Sequence, residues 1–243
     1  MVSPYVLTKC KLFVAEFDLS GDMNALDVKR ASEVLDRTTF GASERRRLGG
    51  LKAVLMEHSG YWNGGADNVD DVLFAKIGVS AVPVTVGPET GAAGERGNIM
   101  LATFGEYMPK GVIGEIFAFN VSIDSDGDLI DGTILFNGIA TATGNGTAYQ
   151  VGAVSATQSL YAALHVVAAS GTTPTLDVIL QSDTVGFPSP TSRITFAQKT
   201  AIGSEWATPV AGAITDDWWR INYTIGGGSP SFTFIVTIGI LEN

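Results

Sequence analysis

Three aspartates, Asp124, Asp126 and Asp128, stand at alternate positions in "DSDGD", the spacing with which carboxylates open a calcium-binding loop. The pattern stops there. The sixth position is Leu129, where the loop needs Gly for its sharp turn, and the twelfth is Leu135, where it needs a bidentate Glu. A turn with solvated carboxylates explains the stretch better. The two histidines, His58 and His165, fall inside strand-like runs, without the G-x-S-x-G or cysteine arrangement that nucleophilic catalysis uses. Asp216 and Asp217 precede Trp218 and Trp219, a combination suited to stacking a sugar or to paired-carboxylate hydrolysis. Plain alternation accounts for the same residues by placing Trp219, Ile221, Tyr223 and Ile225 inward and Trp218, Arg220, Asn222 and Thr224 outward. No metal-ligand cluster, phosphate loop or dinucleotide fingerprint is present in the sequence, so no cofactor and no enzymatic activity are expected.

The remaining chemistry is basic. Arg45, Arg46 and Arg47 sit in a polar gap, residues 36–50, between two strand-like runs, and a hairpin needs only about two to five linking residues. Three arginines in a chain of net charge −10 are too few to grip a duplex. They suit an arm that reaches carboxylates on a neighbour. Net charge is −3 over residues 1–115 and −7 over 116–243, which argues against specific nucleic-acid binding but not against a surface that nucleic acid passes.

At 243 residues the chain can bury one large β core or two ordinary ones. Charged residues are 16% and glycines number 29, a composition of short strands and tight turns with less solvated surface than usual. Cys10 is the single cysteine, so no intrachain disulfide forms. The N-terminus lacks the pattern of a signal peptide, and the most apolar stretch, residues 160–169, is far short of a membrane span. A soluble, cytoplasmically made protein with no membrane partner is expected.

Strands are expected over 11–17, 25–35, 51–60, 82–86 and 98–104, then a hairpin from 112–123 and 129–142. One helix is expected over 68–78, capped by Asp67 or Asn68, with Asp70 and Asp71 in its first turn and Gly78 closing it. Its stripe of Val69, Val72, Leu73 and Ile77 must lie on a sheet. Beyond residues 143–149 basic residues almost vanish and the runs become long and apolar, the texture of a β-sandwich or jelly roll. Two domains, 1–142 and 146–243, follow from that change.

The layout of "LDRTTFGASERRRLGGLKAVLMEHSGYW", "DDVLFAKIG" and "VIGEIFAFNVSIDSDGDLIDGTILFNG" resembles the major tail tube proteins of long-tailed, siphovirus-like bacteriophages, through "TTFG", "RRLGGLK" and "GYW" and over roughly residues 5–142. Residues 146–243 resemble β-sandwich modules of phage structural proteins. The resemblance implies an all-β fold, mainly β with one short helix: a tail-tube β-sandwich or barrel packed by the helix, plus a jelly-roll-like module outside the tube. It implies a non-enzymatic virion protein, assembled in the host cytoplasm, whose hexameric rings stack into a conduit for DNA ejection. Its partners would be copies of itself, the tape measure, tail terminator and tail tip proteins, and genomic DNA that passes without specific binding. Residues 36–50 would be the inter-subunit loop, with Thr38, Thr39, Phe40, Arg45, Arg46 and Arg47 making the contact. The alternatives are a carbohydrate-binding or capsid decoration protein that uses an aromatic edge at Trp206, Trp218 and Trp219, or a β-sandwich glycosidase.

Overall fold

The computed structural model describes Leu7 and residues 9–243. The chain is all-β with one helix among the described residues. Its strands are β1 (Lys11–Val14), β2 (Phe17–Asp18), β3 (Met23–Asp36) and β4 (Arg47–Tyr61), then helix α1 (Val69–Lys76). There follow β5 (Val82–Gly87), β6 (Arg96–Lys110), β7 (Ala118–Ser125), β8 (Ile130–Ala140), β9 (Gly144–Asn145) and β10 (Tyr149–Gln150). The last are β11 (Gln158–Asp183), β12 (Thr191–Thr195), β13 (Gly203–Trp206), β14 (Val210–Ala211) and β15 (Trp218–Glu242). The pairs β1–β2, β1–β5, β3–β4, β4–β7, β6–β7, β6–β8, β8–β15 and β11–β15 are antiparallel.

Two compact units share the chain. The first takes residues up to Gly21, Val82–Ile99 and Ile130–Asn243, and the second takes Asp22–Ala81 and Met100–Leu129. The units do not follow the 142/146 boundary expected from composition. The reason is local: β8 lies before that boundary, yet pairs with β15 from Phe232↔Ala140 to Gly239↔Gly132 and gives Leu135 and Ala140 to the same core.

The first unit is built on β11 and β15, paired from Gln158↔Glu242 to Asp183↔Trp218. Tyr223 and Phe234 lie on one strand eleven residues apart, which is about 36 Å if extended, yet their ring centroids are 5.6 Å apart. The ribbon therefore doubles over. It does so where the register shifts between Ser170 and Thr175, opposite Gly226–Ser231. Gly171 permits the bend: its φ is 120°, and a Cβ there would sit 2.9 Å from the Pro230 Cα. The doubled ribbon encloses a two-layer core that includes Leu160, Leu164, Leu176, Leu180, Trp219, Ile221, Phe232, Phe234 and Ile238. Ile235 packs with Phe13 and Ile134 on the opposite face of β15, so this stretch is buried on both sides and reads as an almost unbroken apolar run. His165 is fully buried and holds β1 and β5 to β11, with Nδ1 2.6 Å from the Ala15 carbonyl and Nε2 2.7 Å from the Thr85 hydroxyl.

The second unit is a four-stranded sheet, β3-β4-β7-β6, with α1. One face, with Val54, Met56, His58, Val121, Ile123 and Phe104, is buried. The Tyr107 hydroxyl on that side donates to Asp70 Oδ1 of α1 at 2.6 Å, and Val69, Val72 and Leu73 of α1 are buried as their spacing predicts. Ile77, expected in the same stripe, is partly exposed because the helix ends at Lys76. Gly78 closes the helix with a φ of 77°. Asn68 occupies the N-cap position but directs its side-chain amide to Asn63 Oδ1 instead of capping. The expected hairpin of 112–123 with 129–142 does not form. β7 pairs with β4 and the later part of β6, and β8 with the start of β6 and with β15.

Candidate functional site: a basic ribbon and an acidic sheet face

β7 joins β4 only from Leu55 onward, through Leu55↔Asp124. Before that point, among the described residues, residues 47–53 have β3 alone as a strand partner, from Ala31↔Ala53 to Asp36↔Arg47. Residues 31–53 are thus a two-stranded ribbon with exposed side chains on both faces. Its cross-strand pairs put Val34, Asp36 and Arg47 on one face and Leu35 and Leu48 on the other, and the register shift between Ser32 and Val34 places Leu51 on the side of Leu35 and Leu48. Val34 is 59% and Leu51 82% exposed, and Phe40 in the connecting loop is fully exposed. Isolated two-stranded ribbons are marginal in water, and long edge strands invite pairing. A ribbon with apolar side chains on both faces is built to be covered.

The structure shortens the expected loop. Arg47 and residues 48–50 belong to β4, leaving 37–46 as the connection. Of the predicted contact residues, Thr38, Thr39, Phe40, Arg45 and Arg46 are in that loop and exposed, and Arg47 stands at its base opposite Asp36. The base is ordered: Thr38 N–H donates to Asp36 Oδ1 at 2.8 Å, Arg46 N–H donates to Thr38 Oγ1 at 3.0 Å, and Arg37 N–H donates to the Arg46 carbonyl at 2.9 Å. The Thr38 bonds also hold the Asp36 carboxyl below its usual range. Asp128, from the calcium-like stretch, braces the ribbon's root. It accepts Arg30 at 2.6 Å and lies 3.5 Å from Lys52. Burial raises the Asp128 pKa, but Arg30, the Leu129 N–H and Lys52 outweigh it and the carboxyl ends below its ordinary value. Among the described residues no group of three or more His, Cys, Asp or Glu is placed to hold a metal.

Charge is concentrated here. Residues 29–53 carry seven of the chain's 15 Lys and Arg, namely Lys29, Arg30, Arg37, Arg45, Arg46, Arg47 and Lys52, against Glu33, Asp36 and Glu44. The rest of the chain holds eight basic and 22 acidic residues. The net +4 ribbon disappears into the net −3 of residues 1–115 and shows only over a stretch of about 25 residues.

The open face of the same sheet is acidic. The register aligns Asp27, Glu57, Ser122 and Glu106 in a row across all four strands, beside a second row of Ala25, Ser59, Asn120 and Met108. These residues line a shallow groove of about 280 Å³. Asp27 and Glu57 are directly opposite, which costs stability in isolation, and the groove lining includes no Lys or Arg.

The aromatic edge is not assembled. Trp206 packs with Tyr161 by the Ile99, Ile130 and Ala163 cluster, on the face of β11 turned from the main core. Trp218 alternates with the core residue Trp219 and so faces outward from the other layer. Trp219 itself is buried, its indole N–H donating to the Gly152 carbonyl at 2.8 Å. Asp216 accepts Ser182 and Arg193, and Asp217 accepts Gln150, so both carboxylates are held in structural bonds.

No family model and no curated protein matches the chain. Among solved structures, it is similar to the SPP1 tail tube, at 10% identity and TM-score 0.43, over 54% of this chain and 80% of that one. The virion of a native gene transfer agent particle gives 15% identity and TM-score 0.37, over 48% and 92%. The SPP1 Dit protein, described as a hub adsorption apparatus of phages infecting Gram-positive hosts, gives 10% and 0.38, over 96% and 99%. With TM-scores below 0.5, these are partial likenesses of layout.

Proposed function

We propose that this chain is a structural subunit of a long-tailed, siphovirus-like phage tail, which polymerises with copies of itself into stacked hexameric rings around a passage for DNA. The observation that carries the reading is the +4 ribbon of residues 29–53, exposed on both faces, apolar on both, and borne by a chain of net −10. Such a surface is satisfied by an acidic partner, and the chain's own body is one. The sequence likeness of "TTFG", "RRLGGLK" and "GYW" to tail tube proteins supplies the class of assembly.

Within that assembly the open face with Asp27, Glu57, Glu106 and Asp124 lines the lumen. Clustered carboxylates repel phosphate and keep DNA from adhering. The tape measure, terminator and tip proteins would meet the tube's interior and ends, and the protein would act in the virion, without catalysis. Replacing Arg45, Arg46 and Arg47 together by Glu tests the reading. The variant is expected to keep the wild-type circular dichroism spectrum and to stay monomeric in sedimentation velocity where the wild type polymerises. Polymers at the wild-type concentration would overturn the ribbon's role.

A further inference from the structure

The ribbon needs a receiver. Resting on the assembly reading above, we infer that the receiver is the far end of the same sheet on a second copy, formed by residues 61–71 and the β6–β7 loop, 111–117. β4's 15 residues place this end about 45 Å from Arg47, at the outer end of the ribbon. The strand register builds it: Tyr61 pairs with Ala118, and Ala118 with Lys110, which brings the loop beside the end of β4. Trp62 N–H donates to the Phe117 carbonyl at 3.0 Å, and the two rings lie 5.3 Å apart. The start of α1 joins them, through Asp70 N–H to the Asn63 carbonyl and the Tyr107 hydroxyl to Asp70.

Two properties of this end match the ribbon. It exposes Tyr61, Trp62, Val112, Ile113, Ile116 and Phe117, with Ile113 wholly exposed and Val112 at 67%, which gives Phe40 and Leu51 of another copy an apolar seat. It also carries Asp67, Asp70, Asp71 and Glu115 with no Lys or Arg in either segment, and Lys110 at its border. A net +4 ribbon thus meets a carboxylate-rich rim around an apolar centre, the usual anatomy of a specific interface. Ribbon and receiver are different surfaces of one copy, so the contact is heterologous and propagates head to tail, stacking subunits along the tube axis.

Charge exchange in the full chain tests this. Sedimentation velocity of the wild type is compared with R45E/R46E/R47E, with D67K/D71K/E115K, and with both sets combined in one chain. Each set alone is expected to raise the concentration at which polymers appear by about tenfold or more, and the combination to return it near the wild-type value. If D67K/D71K/E115K polymerises like the wild type while R45E/R46E/R47E does not, the receiver lies elsewhere and the proposed function stands. A folded combination that stays monomeric also overturns the pairing. If R45E/R46E/R47E polymerises normally, the ribbon's role falls, and this inference with it. Should the lysine set unfold, I113D/I116D, in an exposed loop, gives the same readout: lost assembly supports the receiver, and wild-type assembly overturns it.

Discussion

His58 is buried with neither ring nitrogen bonded among the described residues, edge-on to Phe119 at 5.6 Å. Burial drives its pKa down to about 3. His165 is brought down to about 4 by burial, against the raising effect of its bond to Ala15. Both are neutral in the folded chain, and both take up a proton near pH 6.5 once unfolded. Folded pKa values lie below unfolded ones, so this stabilisation is complete above pH 6.5 and is lost as pH falls toward 4. Each histidine contributes at most about 1.4 kcal/mol per pH unit. Replacing His58 by Leu removes an unsatisfied buried ring. The variant is expected to match the wild type or exceed it in urea unfolding at neutral pH, and to lose less stability on acidification. An unchanged acid slope would show that His58 titrates normally. That both histidines lie in strands is legible from their positions; that both are packed rather than on the surface is not. That Asp128 braces Arg30 and Lys52 was not, because those partners are 98 and 76 positions away.

Elements were legible where they bury a face. The later half of β4 and helix α1 emerge near their expected bounds because alternation or a helical stripe marks them. The sequence marks residues 47–50 as loop because a strand end with no buried face leaves no alternation, and Gly49 and Gly50 look like a turn. In the sequence "SGTTP" and "GGGSP" look like turns that would divide β11 and β15 into shorter strands. In the structure those residues are the bend of one doubled ribbon. That ribbon explains why the composition change near residue 143 is not a cleavable boundary. Truncation after Thr143 removes β11 and β15, and with them all but Leu135 and Ala140 of the main core. The product is expected to be insoluble, or to lack strand signal in circular dichroism. A soluble, cooperatively unfolding 1–143 fragment would contradict the shared core. By contrast, replacing residues 37–46 with a two-residue Asn-Gly turn should leave the melting temperature within about 3 °C, since the loop packs no core.

For the whole molecule, charge separation is the organising property: a basic ribbon at one end of a sheet, carboxylates at the other end and on the open face, and little counter-charge elsewhere. Assembly built on such pairs is sensitive to screening. Raising NaCl from about 0.05 to about 0.5 M should shift the onset of polymerisation to higher protein concentration, because the Debye length shrinks from about 14 to about 4 Å. An onset independent of salt would assign the contact to the apolar residues alone. The most direct measurement is electron microscopy of the purified full chain across a concentration series. The account predicts sixfold rings that stack into tubes, with the ribbon of each subunit seated on its neighbour and Asp27, Glu57 and Glu106 facing the lumen. Single copies at every concentration, or closed dimers that leave the ribbon free in solvent, would contradict it.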